Sequence, residues 1–536
     1  MVRKKVLGFG VVTLWALIVP TVAFCVRCRS LRRLEVERLF LAILFLCAVP
    51  FSAWAEQPPE QQWVDQYNGL ANRIDKAYAA DIDNSGNVCV TGRSDTDPNT
   101  GYYYYTTIKY DSEGNQLWLR RYTEPLNVGI ARDIAIDDTG NICVTGYSST
   151  FAGLGYATIK YDPNGNQLWV SRYDGANRSD YALAIALDGS GNVYVTGHSY
   201  GGSVTGNDCA TVKYDSNGNE LWVARYNGPR SRSDKAELLE VDDSGNVYIA
   251  GFCDYTGISG QPNWGDVLII KYDSNGNELW TVRCNGIENS DDFGEGLCLD
   301  GTGNVYVLGR FAYGNYKILK YDPNGNELWG TDYLNVEARA IAVDGKNNLY
   351  VTGGGGGSEY GDEYTDYETI KFDPNGNMIW SRVYDWPEDG ADRAEKLVVD
   401  NSDYVYISGE AAGTTDWDYA TVKYDPNGNV LWAVIYNNED QDLVHDLAVD
   451  NLGNVCITGY NEGSILNTED FLTVKYTQHD YCVSTIDTDF NGNCKVDFFD
   501  FSILGDSWLI DYDFLDLAIL AEDWLKCNFA LEEDCL

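Results

Sequence analysis

A ten-residue stretch, Lys320-Tyr321-Asp322-Pro323-Asn324-Gly325-Asn326-Glu327-Leu328-Trp329, returns along the chain in slightly altered copies. The copies end at Trp118, Trp169, Trp222, Trp280, Trp329, Trp380 and Trp432, at intervals of 51, 53, 58, 49, 51 and 52 residues. So regular a period means that one supersecondary unit is built repeatedly and stacked on its neighbours.

The stretch reads as a hairpin. Ala157-Thr158-Ile159-Lys160-Tyr161 is β-branched and aromatic, as strands prefer. Asp162 can accept a backbone hydrogen bond, Pro163 presets its own backbone angle, and Asn164-Gly165 tolerate the left-handed region. Gln167 to Tyr173 runs back, and Trp169 offers apolar area to lock one sheet onto the next. The second half of the repeat is clearest at Asp188-Gly189-Ser190-Gly191-Asn192-Val193-Tyr194-Val195-Thr196-Gly197. Its copies begin at Asp83, Asp137, Asp188, Asp242, Asp300, Asp344, Asp400 and Asp450, each preceded by a short segment of small and apolar residues. One repeat is therefore four short strands, and eight such units arranged radially make an all-β, eight-bladed propeller.

The last unit lacks its tryptophan strand after Lys475-Tyr476, and the missing piece stands at the other end, as Trp63-Val64-Asp65-Gln66-Tyr67-Asn68-Gly69. The sequence predicts that this first strand completes the eighth blade and removes two exposed sheet edges. Residues 63–476 form the propeller, with linkers at 56–62 and 477–486 and a separate module at 487–536.

Residues 1–55 read as a targeting region. Leu39 to Ala55 is apolar, ends in Ala53-Trp54-Ala55 and is preceded by Arg29, Arg32, Arg33 and Arg38, so export with cleavage after Ala55 is expected. A second apolar run, Val6 to Val26, leaves two readings open: a translation start downstream of it, or a further anchor or long signal. Removing residues 1–55 takes away eight basic and two acidic side chains, leaving 30 basic against 79 acidic and a net charge of −49. Such a surface repels phosphate backbones and favours cations. Cys89, Cys143 and Cys456 occupy the slot of Tyr194 and are expected as buried small hydrophobes. Cys482, Cys494, Cys527 and Cys535 gather near the C-terminus, where an exported chain could oxidise them in any pairing.

Strand alternation puts both tight turns of each blade on one face and both variable loops on the other, which is the face expected to bind. It carries Gly92 to Tyr105, Gly251 to Trp264 and Gly353 to Gly357. The innermost strands open on that face with Asp75, Asp180, Asp234, Asp292, Asp392 and Asp442, followed two residues on by a small side chain in all but the last. Asp208, Asp266, Asp366, Asp418 and Asp470 open third strands on the same face. The six inner aspartates are candidate ligands for a cation or cationic group, or else caps that accept a neighbouring blade's backbone N–H. Lys109, Lys160, Lys213, Lys271, Lys320, Lys371, Lys423 and Lys475 recur in all eight third strands, as a structural ion pair in each blade would require.

The Asp188 to Gly197 pattern and the lysine-bearing third strand resemble the bacterial SBBP β-propeller repeats and, more loosely, NHL-type propellers. The resemblance implies a propeller and no particular activity.

Past Tyr481 the pattern changes. Asp489, Asn491, Asn493, Asp497 and Asp500 fall at positions 1, 3, 5, 9 and 12 of a loop, with the Lys495 carbonyl at position 7. This is an oxygen array for one Ca²⁺ with a helix beginning at its end, although Cys494 stands where a glycine usually turns the chain. Phe501, Leu504 and Trp508 make an apolar helical stripe that Leu517, Leu520 and Trp524 repeat. The duplication resembles a type I dockerin, an α-helical calcium-binding module that docks secreted proteins onto cohesin-type partners. The resemblance implies that Phe498, Phe499, Phe514 and Leu515 select the partner. The second copy has Gly505, Ser507 and Leu509 at ligand positions, so it should hold no second ion.

The whole chain then reads as an exported, non-catalytic propeller that binds a polysaccharide or cell-surface ligand and is tethered through its tail. The alternative is a secreted carbohydrate-active enzyme, a glycosidase or polysaccharide lyase, or its accessory subunit, using a carboxylate pair. His198, His445 and His479 are the only histidines and share no motif. An eight-bladed quinone-dependent dehydrogenase is disfavoured because the adjacent cysteine pair expected there is absent.

Overall fold

Eight repeats give eight four-stranded antiparallel sheets. A computed structural model of the chain describes residues 58–478, apart from short stretches between strands such as 255–264 and 356–365. The targeting region, the calcium loop and the partner-selecting residues of the tail lie outside the described residues. The strands are numbered β1 to β32 in chain order. In the first complete blade β2 (Asp75–Ile82), β3 (Val88–Asp95), β4 (Tyr103–Tyr110) and β5 (Gln116–Tyr122) pair in that order. The innermost strands follow one another around the ring, ending with β30 (Gln441–Val449) against β2.

The eighth sheet has the order β1-β32-β31-β30, where β1 is Glu60–Tyr67, β31 is Val455–Glu462 and β32 is Glu469–Thr477. Trp63 stands opposite Lys475, and Gln61 opposite Tyr476. The N-terminal strand thus closes the ring as the sequence predicts, and both edges vanish into one ladder.

Both tight turns are built alike. In the Asp83 turn the Gly86 N–H donates to the Asp83 carbonyl at 2.8 Å, and Asp83 Oδ1 accepts from the backbone of Ser85 and Asn87 at 2.9 and 3.0 Å. Glycine alone takes the left-handed conformation in the hairpin turns, with φ 77° at Gly165, while the asparagine before it does not. Where that glycine is missing from the inner turns, Asn347 and Asp403 adopt φ 65° in its place.

The repeated tryptophan and lysine lock blade to blade. The Trp222 indole and the Lys213 ammonium both donate to the Ser274 carbonyl in the next blade's turn, at 3.1 and 3.3 Å. Trp280 and Lys271 do the same to Pro323, and Trp329 and Lys320 to Pro374. The turn glycine lies flat on the indole, so a Cβ at Gly218 would come within 2.6 Å of Trp169. Trp432, in the seventh blade, is buried, and its Nε1 has no acceptor among the described residues. The turn that would supply one is the gap between β32 and β1, where the two ends of the propeller meet. Lys423 there donates to Gln478 Oε1 at 2.7 Å instead.

The lysines also pair with the inner-turn aspartates, and the described ion pairs fall in five of the eight blades, at Lys109, Lys160, Lys213, Lys320 and Lys371. Lys109 lies 2.8 Å from Asp83 and Lys160 2.9 Å from Asp137. These are blades in which Cys89 and Cys143 fill the tyrosine slot, fully buried and with thiol pKa values pushed up by burial. In tyrosine blades the phenol shares the carboxylate: Tyr194 donates to Asp188 at 3.0 Å while Lys213 stands off at 4.0 Å, and Tyr350 donates to Asp344 at 3.2 Å with Lys371 at 3.1 Å. The ammonium then sits over the ring, 4.6 Å from the Tyr194 centroid.

Plain alternation does not describe the innermost strands. Each carries a β-bulge after its small residue, between Ala77 and Ala79 in β2 and between Val444 and Asp446 in β30. The facing strand answers with a glycine, because a Cβ at Gly92 would lie 1.9 Å from the Lys76 carbonyl. The bulge re-aims the following side chains and sets what the ring encloses.

Candidate functional site

The two circles of aspartates meet at the blade junctions. Each inner-strand aspartate is buried at the head of its strand, with Asp75, Asp180, Asp234, Asp292 and Asp442 fully inaccessible and Asp392 1 % exposed. Five of the six accept a backbone N–H from the segment leading into their blade. The donors are Gly69 to Asp75 at 2.7 Å, Gly175 to Asp180 at 2.9 Å and Gly228 to Asp234 at 2.6 Å. Gly286 donates to Asp292 at 2.7 Å, and Trp386 to Asp392 at 3.1 Å. Four of these donors are glycines placed where the chain leaves one blade and turns in to the next.

Third-strand aspartates press against them. Burial first, and then the neighbouring Asp470, Asp208 and Asp366, push Asp75, Asp234 and Asp392 up to about 6 against the help of their hydrogen bonds. Asp266 is likewise raised to about 6 by burial and by Asp292. Asp442 is the extreme, raised to about 8 by burial and by Asp418, Asp440 and Asp416. Like charges held in so little water favour a bound proton or a counter-cation. At the neighbouring junction, carboxylate oxygens of Asp366, Asp385 and Asp392 lie within 4.8 Å of one another.

A second polar cluster lies along the innermost strands, and sequence reasoning missed it. Asp446 accepts from Ala80 N at 2.9 Å, Asp81 from Ile136 N at 2.8 Å and Asp133 from Ile185 N at 2.8 Å. Each carboxylate therefore ties its own blade to the inner strand of the next. Burial raises Asp81 to about 6 and Asp133 to about 7, and Lys396 opposes the shift at Asp133 and Asp446. Burial also raises Glu240 to about 7 and Glu410 to about 8. Asp133 and Asp446 stand four residues before their turn aspartates, Asp81 and Glu240 two before, and Glu410 lies on β27 (Val405–Ala412), so each column holds an acid in too few blades to make a periodic signal. The glycine opposite each bulge was the available clue.

Neither described histidine resembles a proton shuttle. Burial holds His445 down to about 3 and His198 to about 4, and both rings pack against tyrosines, Tyr78 and Tyr181. The tight-turn face has clefts between blades, one of about 490 Å³ lined by Asp137, Lys160, Leu168, Asp188 and Ser216. Of its charged groups, Asp137, Lys160 and Asp188 belong to the clamps already described.

The β-propeller repeat family SBBP matches residues 168–203, the outer strand of one blade and the inner pair of the next. A WD repeat-containing protein, L264, of Acanthamoeba polyphaga mimivirus is 30% identical over 162 residues, which span 27% of this chain and 11% of that protein. Among solved structures, the Dos1 propeller aligns with TM-score 0.47 at 11% identity, covering 79% of this chain and 97% of that one. Sqt1 from Chaetomium thermophilum aligns with TM-score 0.45 at 10% identity, covering 76% and 99%. The polysaccharide lyase Uly1 aligns with TM-score 0.40 at 12% identity, covering 67% and 91%.

Proposed function

We propose that this β-propeller repeat protein is an exported, non-catalytic binding scaffold. The variable loops hold a polysaccharide or cell-surface ligand. The tail, through one Ca²⁺ on Asp489, Asn491, Asn493, Lys495, Asp497 and Asp500, docks to a cohesin-type partner. The observation that carries the reading is the ring closure, which sets the strand ends that bear the variable loops around one ring. The carboxylates most regularly repeated on that face are buried and largely engaged by backbone donors, a supporting role rather than a substrate-facing one.

Purified mature protein incubated with a polysaccharide panel is expected to retain some of them or none, and to release no reducing sugar. Turnover abolished by one aspartate substitution would establish an enzyme instead. For the tail, Asp489→Ala is expected to remove one calcium from the stoichiometry read by calorimetry. An unchanged count contradicts the tether.

A further inference from the structure

The bulges of three consecutive blades bring large side chains to the ring axis. His445 in the eighth blade, Tyr78 in the first and Arg132 in the second are the residues the bulges add, and the register of the facing strand skips them. Beyond burial, the charges that hold His445 down are Lys396, Lys76 and Arg132, on the innermost strands of the seventh, first and second blades. A side chain that meets three other inner strands faces the axis. The bulges lie toward the strand end that the inner aspartates open, so this axial mouth belongs to the variable-loop face.

Aromatic rings follow one another around it. Centroid to centroid, His445 lies 5.3 Å from Tyr460 and 5.1 Å from Tyr78, and the Arg132 guanidinium stands over the Tyr78 ring at 4.9 Å. Tyr147 pairs across the strands with Ile130, two residues before Arg132, and meets Tyr181 edge-on at 4.8 Å. Tyr181 stacks on His198 at 4.9 Å. Tyr78, Tyr147 and Tyr181 are half-buried. The fold does not require these rings: Gly354 takes the place of Tyr147 in the sixth blade, and Leu183 that of Tyr78 in the third.

Polar groups along the arc lack partners. Arg132 makes no ion pair among the described residues and rests only on the Tyr78 ring. At one end of the arc Glu410, 4 % exposed, accepts the Val444 N–H at 2.9 Å on Oε1, beside His445, and its buried Oε2 has no partner among the described residues. At the other end His198 Nδ1 is buried and likewise without one. Buried polar atoms of this kind cost stability unless something satisfies them.

We propose that the axial mouth, from Glu410 and His445 through Tyr78 and Arg132 to Tyr181 and His198, is the binding site for the end of a neutral saccharide chain. A pyranose presents C–H faces to aromatic rings and hydroxyl edges to a guanidinium, an imidazole nitrogen and a carboxyl, and the arc offers both kinds of contact. The strong negative charge of the mature chain disfavours a polyanionic glycan. The class of ligand rests on the scaffold reading; its placement rests on the ring contacts.

The test is calorimetry on the mature full-length chain with neutral hexasaccharides of β-1,4-linked glucose, xylose and mannose. At least one is expected to bind with a single site per chain. Tyr181→Ala and Arg132→Gln are each expected to weaken that binding about tenfold or more, as loss of a hydrogen bond to a charged group does. Arg132→Gln breaks no ion pair among the described residues, so its thermal midpoint without saccharide should match that of the unaltered chain. Binding that survives both substitutions overturns the axial site and leaves the ligand on the variable loops, with the scaffold reading intact. No binding of any of the three by the unaltered chain overturns the site. Release of reducing sugar that Arg132→Gln abolishes would keep the axial site and refute the non-catalytic reading.

Discussion

Deleting residues 58–67 is expected to abolish soluble, monomeric protein, although the deletion removes no complete blade. Without β1, the strand β32 presents an unpaired edge from Phe471 to Thr477. Trp63, only 9 % exposed, also leaves its place on the Gly114 turn, where its indole donates to the Ser112 carbonyl at 2.9 Å. Lys475, which donates to Gly86 and Ser112 across the same junction, loses the strand that covers it. Trp63→Ala alone should cost about 3–5 kcal/mol, as for other buried large-to-small changes. Folded domains are stable by only about 5–15 kcal/mol, so loss of the whole strand should leave a chain that aggregates through its open edge. Size-exclusion chromatography and urea unfolding of the two variants check this. A deletion variant that stays monomeric with an unchanged midpoint would mean the ring is held elsewhere.

Stability should be greatest on the acid side of neutrality and should fall as the pH rises from about 5 to about 9 when divalent cations are chelated. The sign follows from which state holds the protons. Asp75, Asp234 and Asp392 are raised to about 6, Asp133 and Glu240 to about 7, and Glu410 and Asp442 to about 8. Between the ordinary carboxylate range and those values the folded chain keeps protons that the unfolded chain has released. Each step up in pH therefore favours unfolding until the folded values are passed. A group displaced by about two units contributes on the order of 2–3 kcal/mol, and several act together. In the opposite direction, hydrogen bonds from turn residues and the clamp lysines hold Asp83 and Asp137 below their ordinary value despite burial. Their contribution is complete above the ordinary carboxylate range and is lost as the pH falls through their folded values, which bounds the maximum on the acid side. Urea midpoints at pH 5, 7 and 9 in chelator should decline in that order. A midpoint that climbs from pH 5 to pH 9 would show that the junction carboxylates are charged at little cost.

Much of this architecture could be read from the repeat because each blade solves the same problem with the same residues. Trp63 was recognisable as the missing eighth tryptophan, and the turn aspartates, the clamp lysines and the cysteines in the tyrosine slot all kept their columns. What stayed hidden are departures from that regularity. The bulge in each innermost strand adds a residue without a side-chain signature on its own strand, so the direction of Asp81, Asp133 and Asp446 could not be counted by alternation. Those three and Lys396 occur once or twice in a column, which repeats cannot reveal. The pairing of the two aspartate circles also needed coordinates, since Asp75 and Asp470 belong to opposite ends of the chain.

Ring closure by the N-terminal strand supports every statement about faces and junctions, and a crosslink tests it most directly. Glu60 and Thr477 stand opposite each other at the accessible end of the closing ladder. With Glu60→Cys and Thr477→Cys together, a short bifunctional thiol reagent at low protein concentration should join the two within one chain, as peptide mass spectrometry would map. Linkage only between chains, or none under conditions in which each cysteine is separately labelled, would contradict the closed ring.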